Sequence, residues 1–157
     1  MKMWPQTSSL PRPSGQPTLL VFAHPKCPCT NATLGELEAL LQGTAKKAAV
    51  TIVFSRPPGA DALWDDTALS RRAQLIPGVN VAHDVDGIEA QRFGAKTSGF
   101  TLLYSGVGKL LFRGGITDGR GHSGDNIGRS AVAALLRGDR AETTRTRVFG
   151  CPLFASL

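Results

Sequence analysis

Five short apolar segments of the chain have the residue pattern of β-strands. The first two are continuous apolar runs, as expected for central strands that are covered on both faces. The last two are separated by four residues that include two glycines, which predicts a hairpin. The predicted strands are residues 18–23, 48–54, 79–83, 100–104 and 109–113.

Between these segments, apolar residues recur at helical spacing. Residues 28–42 carry four leucines on one side and are followed by Gly43 as a stop signal. Further helices are predicted over residues 66–76, over residues 87–93, where Asp86 begins a capping-box pattern, and from a cap at Asp125 to a stop at Gly138. Strands and helices that alternate, then a hairpin and a helix, predict an α/β fold with a central mixed β-sheet flanked by helices.

Length and composition favour a single domain with short extensions. The chain has 157 residues, of which 41% are apolar and 19% charged, enough for a packed core and too few charges for a disordered polyelectrolyte. Four prolines in residues 1–17 predict an extended leader before a domain over residues 18–138. Residues 139–157 form a tail that we expect to pack on the domain, because it carries an apolar cluster of Val148, Phe149, Leu153 and Phe154.

The composition argues against nucleic-acid binding and against a membrane-spanning chain. The net charge of +6 is spread along the chain and only 6% of residues are aromatic, whereas nucleic-acid binders cluster their basic residues and supply aromatic rings for stacking. We therefore expect no nucleic-acid partner. No run approaches the roughly 18 apolar residues that cross a bilayer, so we expect that this chain does not span a membrane.

The turn between the first strand and the first helix carries the candidate chemistry, because open α/β sheets place their sites at the carboxyl ends of central strands. A cysteine at a helix N-terminus faces unpaired backbone N–H groups and the positive end of the helix dipole, which favour its thiolate form. Lys26 adds a neighbouring positive charge. We expect Cys27 to be the exposed, activated capping residue, with Cys29 in the first helical turn. A helix that begins instead at Thr33 would leave both cysteines in a loop.

Two kinds of chemistry fit this pair of cysteines. Thiols two residues apart close a small strained ring when they are oxidised, and strained disulfides are labile, which favours thiol–disulfide exchange without a cofactor. The alternative is a thiolate carrier of a metal such as copper(I). Because two thiolates rarely complete a metal site, Cys27 and Cys29 would then need a further ligand from His122 or Cys151.

Two histidines are candidates for a role in the site. His24 lies in the same turn and could tune Cys27, although a positional role is equally open. His122 lies in a glycine-rich loop beside Asp118 and Arg120, where acid/base, ligand and loop-stabilising roles are all open.

Five pieces of the chain carry a family resemblance: TLLVFAHPKCPCT, LGELEALL, HDVDGIEAQRFGAKTSGFTLLY, GKLLFRGGIT and GRGHSGDNIGRSAV. The segment that contains them, residues 17–136, resembles the thioredoxin-like superfamily, and most closely its small bacterial RedB-type and TlpA-like thiol proteins. In such chains the nucleophilic cysteine follows the strand phenylalanine by five positions, as Cys27 follows Phe22. The resemblance implies a thiol-disulfide oxidoreductase in which Cys27 attacks, Cys29 resolves, and the partners are protein or small-molecule disulfides and thiols.

The chain departs from the family pattern in two places. Its motif is Cys-X-Cys rather than Cys-X-X-Cys, so the resolving cysteine is one residue nearer to the nucleophile. The position of the family's usual cis-proline, which precedes the hairpin and faces the nucleophile, is occupied by Gly99. Ser98 and Gly99 are therefore candidates for the substrate groove.

The resemblance has two further implications. Relatives often carry an upstream membrane anchor and work outside the cytoplasm, for example in the periplasm, so residues 4–16 are expected to be either a juxtamembrane stalk or a soluble start. In the family's sheet, the last hairpin strand ends at the same edge as the first strand-to-helix turn. We therefore expect the loop of residues 114–124 to border the Cys27 turn and to bring His122 to the rim of the site.

Overall fold

The computed structural model describes residues 3–44 and 48–154, so the first two residues of the expected leader and the last three of the expected tail lie outside the described ranges. Strands and helices alternate along the described chain as predicted. They are β1 (Thr18–Ala23), α1 (Cys29–Thr44), β2 (Ala49–Arg56), α2 (Ala68–Gln74), β3 (Val79–Val85), α3 (Ile88–Phe93), β4 (Phe100–Tyr104), β5 (Leu110–Gly114) and α4 (Ile127–Leu136).

The strands form one mixed sheet in the order β3-β2-β1-β4-β5. β1, β2 and β3 are parallel, whereas β4 is antiparallel to β1 and forms the predicted hairpin with β5. All residues of β1 are buried, which confirms the prediction of a central strand covered on both faces. The predicted α/β class with a mixed sheet flanked by helices is thus confirmed.

Two hydrophobic cores lie on opposite faces of the sheet, because side chains alternate along each strand. Leu19 and Val21 of β1 point into the first core, which α1, α2 and α4 cover. Leu20 and Phe22 point into the second core, which is covered by α3 together with the two ends of the described chain. The helices are thus divided three to one between the faces, and the second face depends on the chain ends for its cover.

The leader packs against this second face through an aromatic and a polar contact. The ring of Trp4 stacks edge-on against Phe93 at 5.0 Å and against Tyr104 at 5.1 Å between ring centroids. The Ser9 N–H and the Ser8 hydroxyl each donate to the Glu89 carboxylate at 2.8 Å. The proline-rich segment is therefore held on the domain without adopting regular structure.

The helix caps differ from the predicted ones. At α3, the Asp84 carboxylate accepts from the N–H groups of Glu89 and Ala90 at 2.9 Å, while Asp86 adopts a left-handed conformation with φ of 63°. The predicted capping role of Asp86 is therefore wrong, because the left-handed turn leads its backbone away from a capping geometry.

At α4 the predicted cap is displaced by one residue. Asn126, rather than Asp125, accepts from the Arg129 N–H at 2.8 Å, and the Asp125 side chain pairs instead with the Arg129 guanidinium. Within the described ranges, no helix is long and apolar enough to cross a membrane.

Candidate active site

The turn between β1 and α1 places Cys27 directly before the helix. The Thr30 N–H donates to the Cys27 carbonyl at 3.0 Å and the Asn31 N–H donates to the Pro28 carbonyl at 3.2 Å, which starts the first helical turn. Pro28 fits there because its missing N–H would have no helical partner. The helix therefore begins at Cys29, and the competing start at Thr33 is wrong.

The expectation that Cys27 is exposed is wrong, because the tail covers it. Cys27 is 2% exposed, whereas Cys29 and Cys151 are partly exposed. The sulfur atoms of Cys27 and Cys151 lie 2.6 Å apart, although 124 residues separate the two cysteines in sequence. All three thiols are free and their sulfur atoms lie within 4.8 Å of one another. We call these three residues the thiol cluster.

The tail reaches the cluster by pairing with two parts of the sheet edge. Thr144–Thr146 first runs parallel to the end of β5: the Arg113 N–H donates to the Thr144 carbonyl at 3.0 Å and the Thr146 N–H donates to the Arg113 carbonyl at 3.2 Å. The tail then pairs antiparallel with the segment before β4. There, the Ser98 N–H donates to the Cys151 carbonyl at 2.8 Å and the Leu153 N–H donates to the Lys96 carbonyl at 2.9 Å.

Glycines allow the tail to approach the sheet so closely. A Cβ at Gly114 would lie 2.2 Å from the Thr146 hydroxyl, and one at Gly115 would lie 2.6 Å from the Arg147 carbonyl. On the tail itself, a Cβ at Gly150 would lie 2.2 Å from the Ser98 carbonyl. These backbone contacts exclude a side chain, so the tail follows a path that glycine residues define.

Ser98 and Gly99, the predicted groove residues, link the tail to the cysteine turn. The Gly99 N–H donates to the Phe22 carbonyl at 2.7 Å, and Gly99 has a φ of 99°, which favours glycine. The buried Ser98 hydroxyl accepts from the His24 N–H at 2.9 Å and lies 3.0 Å from the Thr30 hydroxyl, which donates to the His24 carbonyl at 2.8 Å. Hydrogen bonds of Ser98 and Gly99 thus hold the segment that pairs with the tail against β1, the cysteine turn and α1.

The ring of Trp64 contacts the side chains of Lys26 and His24 in the turn. The Lys26 ammonium lies 4.0 Å above the centre of its ring, and the His24 ring packs edge-on against it at 5.6 Å. Burial lowers the pKa of His24, and the positive charge of Lys26 lowers it further. His24 is therefore neutral at pH 7, and its Nδ1 accepts from the Lys26 N–H at 3.0 Å.

The glycine-rich loop brings Arg120 to the thiol cluster. Its guanidinium donates to the Cys151 sulfur at 3.4 Å. Hydrogen bonds with Cys29 and Cys151 raise the pKa of Arg120, so this exposed cation faces two of the three sulfurs. His122 is exposed and its Nδ1 lies 3.5 Å from Asp118. Arg120 is a site residue that the sequence analysis does not single out; the signal for it is a permanent cation in a loop expected beside the cysteines.

A buried carboxylate anchors the far end of this loop. Glu36 in α1 accepts from the Gly124 N–H at 3.2 Å, from the Asn126 amide at 3.0 Å and from the Arg129 guanidinium at 3.0 Å. A buried carboxylate is stable when its oxygens are saturated in this way. The loop that carries Arg120 is therefore fixed to the helix that begins at Cys29.

The cluster has the parts for thiol–disulfide exchange, which needs an attacking thiol at a helix N-terminus and a second thiol within contact distance. Three sulfur ligands would also suit a soft metal such as copper(I). Among the described residues, the only group of three metal-ligating side chains brought together is Cys27, Cys29 and Cys151, and His122 does not belong to it.

No protein-family model matches the chain, and no curated protein matches it in sequence. Solved structures do match. An uncharacterized conserved protein from Geobacillus kaustophilus has a TM-score of 0.71 at 17% identity, over 92% of this chain and 80% of that one. A secreted Mycobacterium tuberculosis disulfide oxidoreductase homologous to E. coli DsbE has a TM-score of 0.56 at 16% identity, over 80% and 83%. A thioredoxin-like protein in its oxidized form has a TM-score of 0.61 at 13% identity, over 88% and 97%.

These likenesses concern the fold. The matching structures include thiol-disulfide oxidoreductases with a thioredoxin-like fold, and they align over most of both chains. The predicted thioredoxin-like fold is therefore confirmed.

Proposed function

We propose that this thioredoxin-like domain catalyses thiol–disulfide exchange with Cys27 as its nucleophile. The observation that carries the proposal is the position of Cys27: it ends the turn after the central strand, directly before α1, and its sulfur lies within 4.8 Å of two further thiols. The positive end of the α1 helix dipole favours a thiolate there. Lys26 adds positive charge to the same turn.

The reaction follows from the three thiols. The Cys27 thiolate attacks one sulfur of a substrate disulfide, which forms a mixed disulfide and releases the other half as a thiolate. A second protein thiol then attacks the Cys27 sulfur and releases the remaining half. The substrate gains two electrons, and two protein thiols become one disulfide. The sequence assigns the resolving role to Cys29.

The surrounding residues have supporting roles in this proposal. His24, Ser98 and Gly99 border the cysteine turn and would position the substrate backbone, and His122 is a candidate to exchange a proton with a leaving thiol. The substrates are protein or small-molecule disulfides or thiols. A bacterial RedB-type or TlpA-like subtype outside the cytoplasm is part of the proposal; it is supported by the described secretion of the similar Mycobacterium tuberculosis protein.

Copper(I) binding is not favoured. His122 is not part of the thiol cluster among the described residues, and the similar structures of described activity are disulfide oxidoreductases rather than metal carriers. Disulfide exchange accounts for the proximity of two of the three thiols without a metal.

Turnover of insulin disulfides with dithiothreitol as reductant tests the proposal. We expect the full chain to accelerate the reduction, and Cys27→Ser to abolish the acceleration while its melting temperature stays close to that of the wild type. Cys27→Ala is the matched control, because it removes the sulfur without leaving a hydroxyl. Wild-type acceleration by both variants would refute the proposal.

A further inference from the structure

The tail lies directly against Cys27. It pairs with residues 96–98 as an added antiparallel strand, and this pairing places the Cys151 sulfur 2.6 Å from that of Cys27. A disulfide bond is about 2.05 Å long, so only a small movement separates these two free thiols from bonding distance. The two side chains therefore already point at one another.

We infer that Cys151 is the resolving cysteine, and that oxidation of the protein joins it to Cys27 in a disulfide. The inference rests on the proposed function and changes the assignment of its second thiol from Cys29 to Cys151. It adds a catalytic residue on a segment outside the predicted domain.

Local geometry favours Cys151 over Cys29 as the partner. Cys29 is the first residue of α1 and is separated from Cys27 by a single proline, so a bond between them closes a small, strained ring. Cys151 arrives on a separate chain segment and meets Cys27 with no such ring. A strained disulfide is the more easily reduced of the two, so exchange within the cluster runs toward the Cys27–Cys151 bond.

Arg120 supports the resolving step itself. Its guanidinium donates to the Cys151 sulfur at 3.4 Å, and a positive charge beside a thiol favours the attacking thiolate. Glu36 fixes the base of the loop that carries it. The sulfur that is to attack the mixed disulfide therefore lies beside a permanent cation; because Arg120 also faces Cys29, the choice between the two thiols rests on the ring geometry.

The step balances as a two-electron exchange. After Cys27 has attacked a substrate disulfide, the Cys151 thiolate attacks the Cys27 sulfur, a new Cys27–Cys151 bond forms, and the bond between Cys27 and the substrate breaks. The substrate half leaves as a thiolate and takes a proton from solvent. Two protein thiols have been oxidised and one substrate disulfide has been reduced to two thiols.

Peptide mapping after oxidation tests this assignment. The reduced full chain is treated with glutathione disulfide, quenched with acid, alkylated and digested with trypsin, which cuts after Lys26 and Arg147 and so separates Cys151 from the peptide that holds Cys27 and Cys29. We expect the two peptides to be joined in the wild type and in Cys29→Ser. In Cys151→Ser, glutathione should remain on Cys27 about tenfold longer than in Cys29→Ser.

The outcomes separate the inference from the proposed function. An internal disulfide between Cys27 and Cys29, with Cys151 alkylated in the wild type, overturns the inference and leaves the proposed function intact. Alkylation of every cysteine in the wild type and in both variants, with no glutathione on Cys27, overturns the proposed function itself.

A variant that keeps all three cysteines tests whether tail pairing positions Cys151. In Gly150→Ala the new Cβ would lie 2.2 Å from the Ser98 carbonyl, which forces the tail away from its pairing partner. We expect the joined peptides to form about tenfold more slowly. Gly43→Ala is the control, since its Cβ meets nothing within 4 Å and the wild-type rate should persist. Joining at the wild-type rate in Gly150→Ala would contradict the positioning role.

Discussion

The hydroxyl of Ser98 accepts a hydrogen bond of 2.9 Å from the backbone N–H of His24, and this bond joins the two sides of the candidate active site. His24 begins the turn that ends at Cys27, whereas Ser98 belongs to the segment that binds the tail. The same hydroxyl lies 3.0 Å from that of Thr30 in the first turn of α1. The Ser98 hydroxyl therefore contributes to the relative position of Cys27 and Cys151.

Ser98→Ala should lower the free energy of unfolding by about 2 kcal/mol, because it leaves the His24 N–H without its partner in a buried site. Chemical denaturation at neutral pH measures the loss. Ser123→Ala, at an exposed position in the glycine-rich loop, should change the stability by less than about 0.5 kcal/mol. Equal stability of the two variants would show that the Ser98 hydrogen bonds carry no stabilisation.

A second prediction concerns Asp65, the neighbour of Trp64. Burial would raise the pKa of Asp65, but hydrogen bonds from Arg56 and His83 outweigh it and hold the pKa below its ordinary value of 3.8. Because the folded-state pKa is lowered, the stabilisation is complete above about pH 4 and is lost as the pH falls through the folded-state value. Asp65→Asn should therefore cost about 2 kcal/mol at pH 7 and much less in strong acid.

Asp66→Asn is the matched control for this experiment. Asp66 is exposed and pairs with Arg71 at 3.6 Å, so its removal should cost less than about 1 kcal/mol at any pH. Urea denaturation across the acid range measures both variants. A cost for Asp65→Asn that stays constant as the pH falls would contradict the linkage.

Tyr104 gives a prediction at alkaline pH. It is the single tyrosine of the chain, and burial raises its pKa to about 12 in spite of the nearby Arg113 charge. A raised folded-state pKa means that the stabilisation is present below the ordinary value of 10 and is lost as the pH rises toward 12. Tyrosinate absorbance should appear together with unfolding. Titration of Tyr104 near pH 10 with the fold retained would contradict burial of this side chain. Tyr104→Phe, which has no tyrosine, gives the background absorbance for the measurement.

The titration of His24 tests the environment of the cysteine turn. Its pKa is lowered from 6.5 by burial and by the charge of Lys26, so the NMR midpoint should lie below that of a free histidine. Below pH 6.5, His24 binds a proton in the unfolded chain but stays neutral in the folded chain. The free energy of unfolding therefore falls as the pH falls through the folded-state pKa of His24. Lys26→Ala should raise the midpoint part of the way, and Lys109→Ala in the hairpin should leave it unchanged. Equal midpoints in these two variants would exclude an effect of the Lys26 charge.

The sequence predicts the sheet well because the central strands are continuous apolar runs. β1 and β4 have the predicted bounds, since burial on both faces leaves no ambiguity of period. The caps at Asp84 and Asn126 were missed because each lies within two residues of another residue with the same capping chemistry. The local backbone conformation decides which of two neighbouring polar residues caps the helix, and the residue types alone do not show that conformation.

Residue spacing predicted the candidate site only in the cysteine turn, whereas Ser98, Gly99 and the loop of residues 114–124 were expected from the family resemblance and Cys151 was named only as a possible metal ligand. Cys27, Lys26 and Cys29 stand together in one turn, where spacing and helix position suffice to identify them. Cys151 lies 124 residues from Cys27, and its approach depends on backbone pairing along a glycine-lined path that has no sequence period. The contact between Cys27 and Cys151 therefore depends on the folded edge of the sheet and leaves no local pattern in the sequence.

The paired tail has a consequence for what can reach Cys27. A thiol tethered beside another acts at an effective concentration on the order of millimolar, which dilute free thiols do not match. A competitor that displaces the tail from residues 96–98 therefore gains easier access to the buried Cys27 than one that reacts beside the paired tail. A protein whose own extended segment can pair there competes with the tail through its backbone, so the tail favours macromolecular partners over small thiols without excluding the small ones.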